Sequence, residues 1–363
     1  MTKAAELAKM GEVLTNSQIG GRRNIVINGA MNVAQRGTSF ALSGTADTFI
    51  TDRFLISNSD TGAWTASQST DAPTGFSNSL KMDCTTADAS PTFLTLMTRF
   101  EGQDVQHLKK GTSSAEKITL SFFVKSNKTG TYIAELRDID NNRTIGKAYT
   151  ISSADTWEQK IITYDGDTTG AFDNDNGNSL QIIWYLAVGS VYNSGTLATS
   201  WGSRVNANTA VGQVNLADST DNEWYITGVQ LEVGSQATPF EHRSFGEELA
   251  LCQRYYYKLI IDSDADSFAT GSNNTTTTSE HSIIFAQTMR ANPTAIETTG
   301  TAGDYKIASA GSTTTCSAVP VFVRASFHTA YFRSTVSSGL TTGNASLLRS
   351  VGSDAYLAWS AEL

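Results

Sequence analysis

The strongest constraint in this sequence is a period of two. From Asn24 to Glu241, apolar residues recur at alternate positions in short runs, and clusters rich in Ser, Asn, Asp and Gly separate the runs. Successive side chains of an extended strand point to opposite faces, whereas a helix needs spacings of three and four, so these runs specify strands. In KITLSFFVKS, Ile118, Leu120, Phe122 and Val124 alternate with Thr119, Ser121 and Lys125. In the run through ITGVQLEV, Tyr225, Thr227, Val229, Leu231 and Val233 oppose Gly228, Gln230 and Glu232, which puts one face in a core and one in water. SLQIIWYLAVG carries an apolar row from Leu180 to Val188, and Ile183 and Tyr185 make its other face partly apolar, as in a central strand. TYIAELRD, WEQKIITY and TFITDRFLI are further candidates, separated by turn clusters such as SNKTG, DIDNN and DNDNGN. Many strands with turns between them and no interleaved helices predict an all-β chain, an antiparallel jelly roll or β-sandwich.

The run ends abruptly. Gly234-Ser235 breaks the strand, and Pro239 removes a ladder donor. Ser244 then precedes Glu247 by three residues, as in a capping box, and Leu249, Cys252 and Tyr256 recur at helical spacing. Arg254 and Lys258 near the end suit the helix dipole. Strand patterns resume after it, as in VPVFVRASFHTAYF, where Val319, Val321, Val323, Ala325 and Phe327 oppose Phe322, Arg324, Ser326 and His328. The chain of 363 residues exceeds what one core usually serves. The expected organisation is a helical segment at 1–23, a jelly roll at 24–243, a connecting helix at 244–258, and a second, smaller β-sandwich at 259–363. In the first segment Leu7, Met10 and Leu14 line one face of a helix too short to stand alone in water, so it needs a partner surface.

Charge narrows the functional classes. A formal net charge of −9 argues against a protein that neutralises nucleic-acid phosphates. The longest apolar runs fall far short of the ~20 residues of a membrane helix, so no membrane insertion is expected. The N-terminal stretch lacks the apolar core of a secretory signal. Three distant cysteines, Cys84, Cys252 and Cys316, offer neither a disulfide framework nor a CxxC metal site, which suits folding in a reducing cytoplasm.

Two stretches carry a family resemblance. NIVINGAMNVAQRGTSF at 24–40, followed by TDRF at 51–54, looks like the start of a domain of bacteriophage tail-fibre and receptor-binding proteins. ITGVQLEVGSQATPFEHRSFGEELALCQRYYYK at 226–258 resembles the end of that domain, and TMRANPT at 288–294 the opening of the distal domain that follows it. The resemblance implies a carbohydrate-binding-module-like jelly roll, an adjoining helix, a variable C-terminal tip that adsorbs to the host surface, and a homotrimeric fibre. Such a fibre is held on the virion by its N-terminus, through other tail or adaptor proteins, and is made in the host cytoplasm. A host-surface glycan or an outer-membrane receptor is then the distal partner.

No HExxH, GxSxG, P-loop or metal-type spacing occurs, and His107, His242, His281 and His328 stand apart, so no enzymatic activity and no cofactor are expected. Glycan binding is the more natural chemistry, since sugars stack on aromatic rings. Trp64, Tyr192 and Trp201 lie in polar, loop-like surroundings and are the candidates; the competing reading has the two tryptophans capping the sandwich edge or packing on a protomer. DNDNGN offers Asp173 and Asp175 to a hard cation, and the resembling jelly rolls often hold a structural calcium. It lacks the distal Glu of an EF-hand loop, so a solvated turn is the stronger reading. Two alternatives remain: a glycan-binding or depolymerase module acting on capsule or cell-wall polysaccharide, and a virion decoration protein without a receptor role.

Overall fold

The computed structural model describes Lys3, 23–261, Ser263, 266–352 and 354–363. The chain divides into two compact units, 23–245 and 246–362. The candidate attachment residues Leu7, Met10 and Leu14 lie outside the described residues. No described helix is long and apolar enough to cross a membrane, which says nothing of a β-barrel.

The first unit is one ladder of eleven strands folded over on itself. The strands are β1 (Ser39–Phe49), β2 (Leu55–Ser69), β3 (Ser79–Thr86), β4 (Phe93–Glu101), β5 (Ile118–Ser126), β6 (Gly130–Asp138), β7 (Arg143–Ile151), β8 (Glu158–Tyr164), β9 (Asn178–Val188), β10 (Gly202–Ser203) and β11 (Glu223–Val233). Their order is β10-β7-β6-β9-β4-β2-β3-β11-β5-β8, all antiparallel, and β1 pairs with β2. The long strand β2 serves both layers: Leu55–Ser59 pair with β4 and Ala63–Ser69 pair with β3. Between these halves Asp60 and Gly62 adopt φ of 47° and 65°, and a Cβ on Gly62 would lie 2.3 Å from the Thr86 carbonyl oxygen. Only glycine fits that corner without strain.

Folding at the corner brings the inner faces together. Leu94, Leu96, Leu180, Ile182, Trp184, Tyr132 and Leu136 of one layer share a core with Leu80, Met82, Trp224, Ile226, Leu120, Phe122 and Val124 of the other. Phe122 meets Trp184 edge-on with ring centroids 5.8 Å apart. Each such fully buried side chain contributes roughly 1.5–3 kcal/mol of transfer free energy.

The expected alternation holds for Ile118–Val124, but two local expectations change. Strand β11 is buried on both faces, because the return of the chain over 234–241 covers its polar side: Gln230 Oε1 accepts from the Glu241 N–H at 2.8 Å and Glu232 from the Thr238 N–H at 2.8 Å. TFITDRFLI is not one strand. Arg53 sits at φ 72° in a tight turn, and the Phe54 N–H closes on the Thr51 carbonyl at 3.0 Å. Strand β9 is central, as expected, and its second face is covered within the chain, where Ile183, Tyr185 and Val188 pack with Ile133 and Ala210.

The helix α2 (Phe245–Gln253), which carries Glu247 and Glu248 in its first turn, starts at the last residue of 23–245 and runs into the second unit; the short helix α1 (Ser190–Asn193) lies in the first unit. The helix was expected to run to 258, but it stops at Gln253, and Tyr256 and Lys258 belong to the strand Tyr256–Ile260. A seven-stranded antiparallel sheet and a three-stranded one enclose a core in which Trp359 touches Tyr257, Phe285 and Phe332. The strand Ala318–Ala325 keeps Val319 and Ala325 of the expected face against the core but exchanges the residues between them. Register shifts after Ala318 and Phe322 turn Phe322 and Ala325 to the core and leave Val321 and Val323 55% and 37% exposed.

Candidate functional site

The concave candidate is the outer face of β4, β9 and β6 in the first unit. Strand alternation sends Leu94, Leu96, Trp184 and Leu136 inward, so their odd-numbered neighbours must line the other face. Register then aligns those neighbours in rows. Arg99 pairs with Gln181 and Gln181 with Arg137; Met97 pairs with Ile183 and Ile183 with Glu135. A third row runs Asp47, Ser57, Thr95, Tyr185. Residues directly opposite on such a face stand ~5 Å apart, so each row is one continuous strip of side chains.

A wall rises beside this floor where the chain leaves β9. The segment 189–214 is fixed to the sheet by the Gly146 N–H on the Ala198 carbonyl at 2.7 Å and the Val214 N–H on the Thr131 carbonyl at 2.9 Å, and is closed on itself by the Ala210 N–H on the Tyr192 carbonyl at 2.9 Å. It places Tyr192 edge-on to Phe93, ring centroids 5.4 Å apart, and brings Arg204 over Glu135. Floor and wall enclose a cleft of about 240 Å³ lined by Phe93, Met97, Arg99, Arg137, Gln181 and Tyr192, with Asp47, Ser57 and Arg204 at its sides.

Its electrostatics are uneven. Glu135 is fully enclosed and accepts hydrogen bonds from Thr144, Tyr185 and Arg204, the last at 3.2 Å. Burial and the neighbouring Glu135 charge push the Tyr185 hydroxyl well above its ordinary pKa. Burial works against the Arg204 charge, but Glu135 outweighs it and raises the pKa. Asp47 accepts from Ser57 and faces Arg99 at 3.9 Å. Arg137 is different. Its Nε is enclosed without a partner, and no described carboxylate reaches its guanidinium. Burial, and then the Arg204 charge, lower its pKa.

The sequence candidates separate here. Tyr192 belongs to the cleft. Trp64 does not: it is 1% exposed, its Nε1–H donates to the Thr61 carbonyl at 2.7 Å, and its ring is part of the core. Its polar neighbours are the outward residues of β2 and the corner beside it, not a loop. Trp201 packs on the core edge, donates to the Asp165 carbonyl at 2.7 Å and lies 5.6 Å from Lys110 Nζ. It caps the sandwich.

Asp173 and Asp175 are parts of a turn. The Asp175 carboxylate accepts the Gly177 N–H at 2.8 Å, and Asp173 gives its own N–H to Asp140 at 2.9 Å. No group of three or more His, Cys, Asp or Glu suited to a metal ion occurs among the described residues. The enclosed carboxylates nearby, Asp138 and Asp167, are bound instead by Lys110 Nζ at 2.5 and 3.1 Å, and Arg143 grips Asp167 with two bonds at 2.7 and 2.9 Å.

Arg137, Gln181 and Arg99 were not singled out from the sequence. The available signal was TYIAELRD, whose alternation sets Glu135 and Arg137 on the face opposite Tyr132, Ala134 and Leu136.

No protein-family model matches the sequence, and no curated protein matches it. Solved structures similar to the chain include the enzymatically active domain of tailspike protein 4 of bacteriophage CBA120, at 15% identity and a TM-score of 0.31, covering 58% of this chain and 21% of that one. Another is the CBM22-1–GH10 pair of Clostridium thermocellum endo-1,4-beta-D-xylanase 10B, solved with xylohexaose, at 10% identity and 0.29, covering 53% and 28%. A third is a sugar-binding protein of Bacteroides thetaiotaomicron, described as such by inference, at 11% identity and 0.30, covering 58% and 100%. The chain thus spans about a fifth of the tailspike chain that it matches.

Proposed function

We propose that this chain is a non-catalytic component of a phage adsorption apparatus and that its first unit binds saccharide in the cleft on β4, β9 and β6. The observation that carries the reading is the convergence of the Tyr192 and Phe93 rings with Gln181 and the three guanidiniums of Arg99, Arg137 and Arg204 in one concavity. Aromatic rings offer the apolar faces of a pyranose a stacking surface, and the amide and guanidinium donors take its hydroxyls. Binding fits better than hydrolysis, because a glycosidase needs a free acid and a second free carboxylate. Asp47 is the one carboxylate among the residues that line the cleft, and Glu135 behind it is fully enclosed and bound by Arg204.

The role within a virion rests on the motifs at 24–40 and 226–258, with attachment through 1–23 and assembly as a homotrimer as parts of the same proposal. The distal unit was the expected receptor contact. A groove there of about 470 Å³ is lined by Thr270, Ala308, Thr313, Leu347 and Arg349 among small residues and brings no aromatic ring to the surface it encloses. The saccharide site is therefore assigned to the first unit. Titrating the full chain against a panel of neutral and acidic bacterial surface oligosaccharides tests the reading. Binding of a panel member, lost in Tyr192→Ala, supports it; binding unaffected by Tyr192→Ala removes the cleft from it.

A further inference from the structure

Two of the three arginines of the cleft have partners: Arg204 Nε lies 3.2 Å from Glu135, and Arg99 donates to the Leu363 carbonyl and lies 3.9 Å from Asp47. Arg137 stands half-buried at the end of the row that it forms with Gln181 and Arg99, and its Nε is closed off from water without an acceptor. Neither an ion pair nor a hydrogen bond to a described residue meets its guanidinium, and the Glu135 charge on the same face does not outweigh burial and Arg204. A cation withdrawn from water and left unpaired is unfavourable by an amount comparable to a lost charged hydrogen bond, and Arg204 on the same side makes it more so. The position is also anomalous for the molecule, which carries a net charge of −9.

We propose that the cleft selects an acidic sugar residue, whose carboxylate pairs with the Arg137 guanidinium beside the Gln181 amide while its ring lies against Tyr192. The inference rests on the saccharide reading above and adds the ligand's charge to it. A neutral sugar could accept a hydrogen bond from Arg137, but it would leave the guanidinium without an ion-pair partner. A carboxylate is planar and matches two parallel N–H groups of a guanidinium, the strongest pairing available to that side chain. Gln181 is 5% exposed, and no described group bonds its side-chain amide, so it has a donor and an acceptor left for the hydroxyls next to such a carboxylate. The volume of about 240 Å³ falls just under the roughly 300–1,000 Å³ of drug-sized sites, so the cleft holds one residue of a longer glycan rather than an extended stretch.

The test uses the full chain and six probes: short oligomers of galacturonate, mannuronate and N-acetylneuraminate, each with its methyl ester, titrated calorimetrically. At least one free acid should bind ten or more times tighter than its ester. Arg137→Gln, which keeps donors and removes the charge, should erase that preference at an unchanged melting temperature. Arg137→Lys, which keeps the charge and loses the fork, should fall between. Equal binding of acid and ester, lost in Tyr192→Ala, would overturn the charge claim and leave the saccharide reading standing. Tyr192-dependent binding of neutral sugars with none of the six acting as ligands would do the same. Silence of every saccharide, acidic or neutral, would overturn both.

Discussion

The Leu231 N–H donates to the side-chain oxygen of Asn24 at 3.1 Å, across 207 positions of chain. The same oxygen accepts from the Val26 N–H, and the Asn24 amide donates to the Val229 carbonyl at 3.1 Å. The Asn24 N–H meets Glu241 at 2.7 Å, and Arg243 donates to the Asn24 and Val26 carbonyls. One asparagine thus closes the beginning of the first unit on its end. Gly29 completes the join, since a Cβ there would lie 2.0 Å from the Val229 oxygen. The two stretches that carry the family resemblance are therefore a structural clasp, separate from the cleft.

Replacing Asn24 by Ala strands the Leu231 N–H and the Val229 carbonyl in a site that is 2% exposed. Each buried orphan costs about 1–3 kcal/mol, so the first unit should lose about 2–6 kcal/mol, read as a lower melting transition. Saccharide affinity of the folded protein should not change.

Lys110→Met leaves Asp138 enclosed without its cation and deprives Asp167 of one of two. Burial alone would raise the Asp167 pKa, but hydrogen bonds from Arg143 and Lys110 overcome it and hold it below the ordinary 3.8. Removing one member of a buried pair typically costs about 3–5 kcal/mol, and chemical denaturation should record a loss of that size. Added calcium should not restore it, because the site is built around an ammonium.

His281 in the second unit should make that unit sensitive to acid. It is fully enclosed, both ring nitrogens lack a partner, and it stacks on Phe332 with centroids 5.6 Å apart. Burial pushes its pKa from 6.5 down to about 4. The unfolded chain then binds the proton first as pH falls, so stability is complete above 6.5 and declines toward 4. The loss amounts to about 3 kcal/mol over that window. Calorimetry between pH 7 and 4 should show the decline, and His281→Leu should flatten it; an equally steep decline in the variant would assign it to other groups.

Trp64→Ala and Tyr192→Ala should part company. The first empties a core position and should cost about 3–5 kcal/mol of stability with little effect on ligand affinity of the folded fraction. The second removes a half-buried ring from the cleft wall and should abolish saccharide binding at a nearly constant melting temperature.

The strands were legible wherever one face is apolar, as at Ile118, Leu120, Phe122 and Val124, because burial of one face forces the period. The corner in β2 was not, since Asp60 and Gly62 read as a loop and hid the fact that Trp64 continues the same strand. The faces at Val321 and Val323 were misassigned because register shifts after Ala318 and Phe322 cannot be read from alternation alone. The cleft escaped for a topological reason. Arg99, Gln181 and Arg137 become neighbours only through the order β4-β9-β6, in which no adjacent pair is consecutive in the chain. Tyr192 was found because an aromatic ring in a polar segment is visible without knowing that order.

The clasp has a mechanical consequence. The chain enters the first unit at Asn24 and leaves it at Arg243, and these two residues touch. A pull applied through the entering and leaving segments is carried by the few hydrogen bonds around Asn24, Glu241 and Arg243 and bypasses the strand ladder. The strand ladder, and the cleft built on it, then carry little of that load.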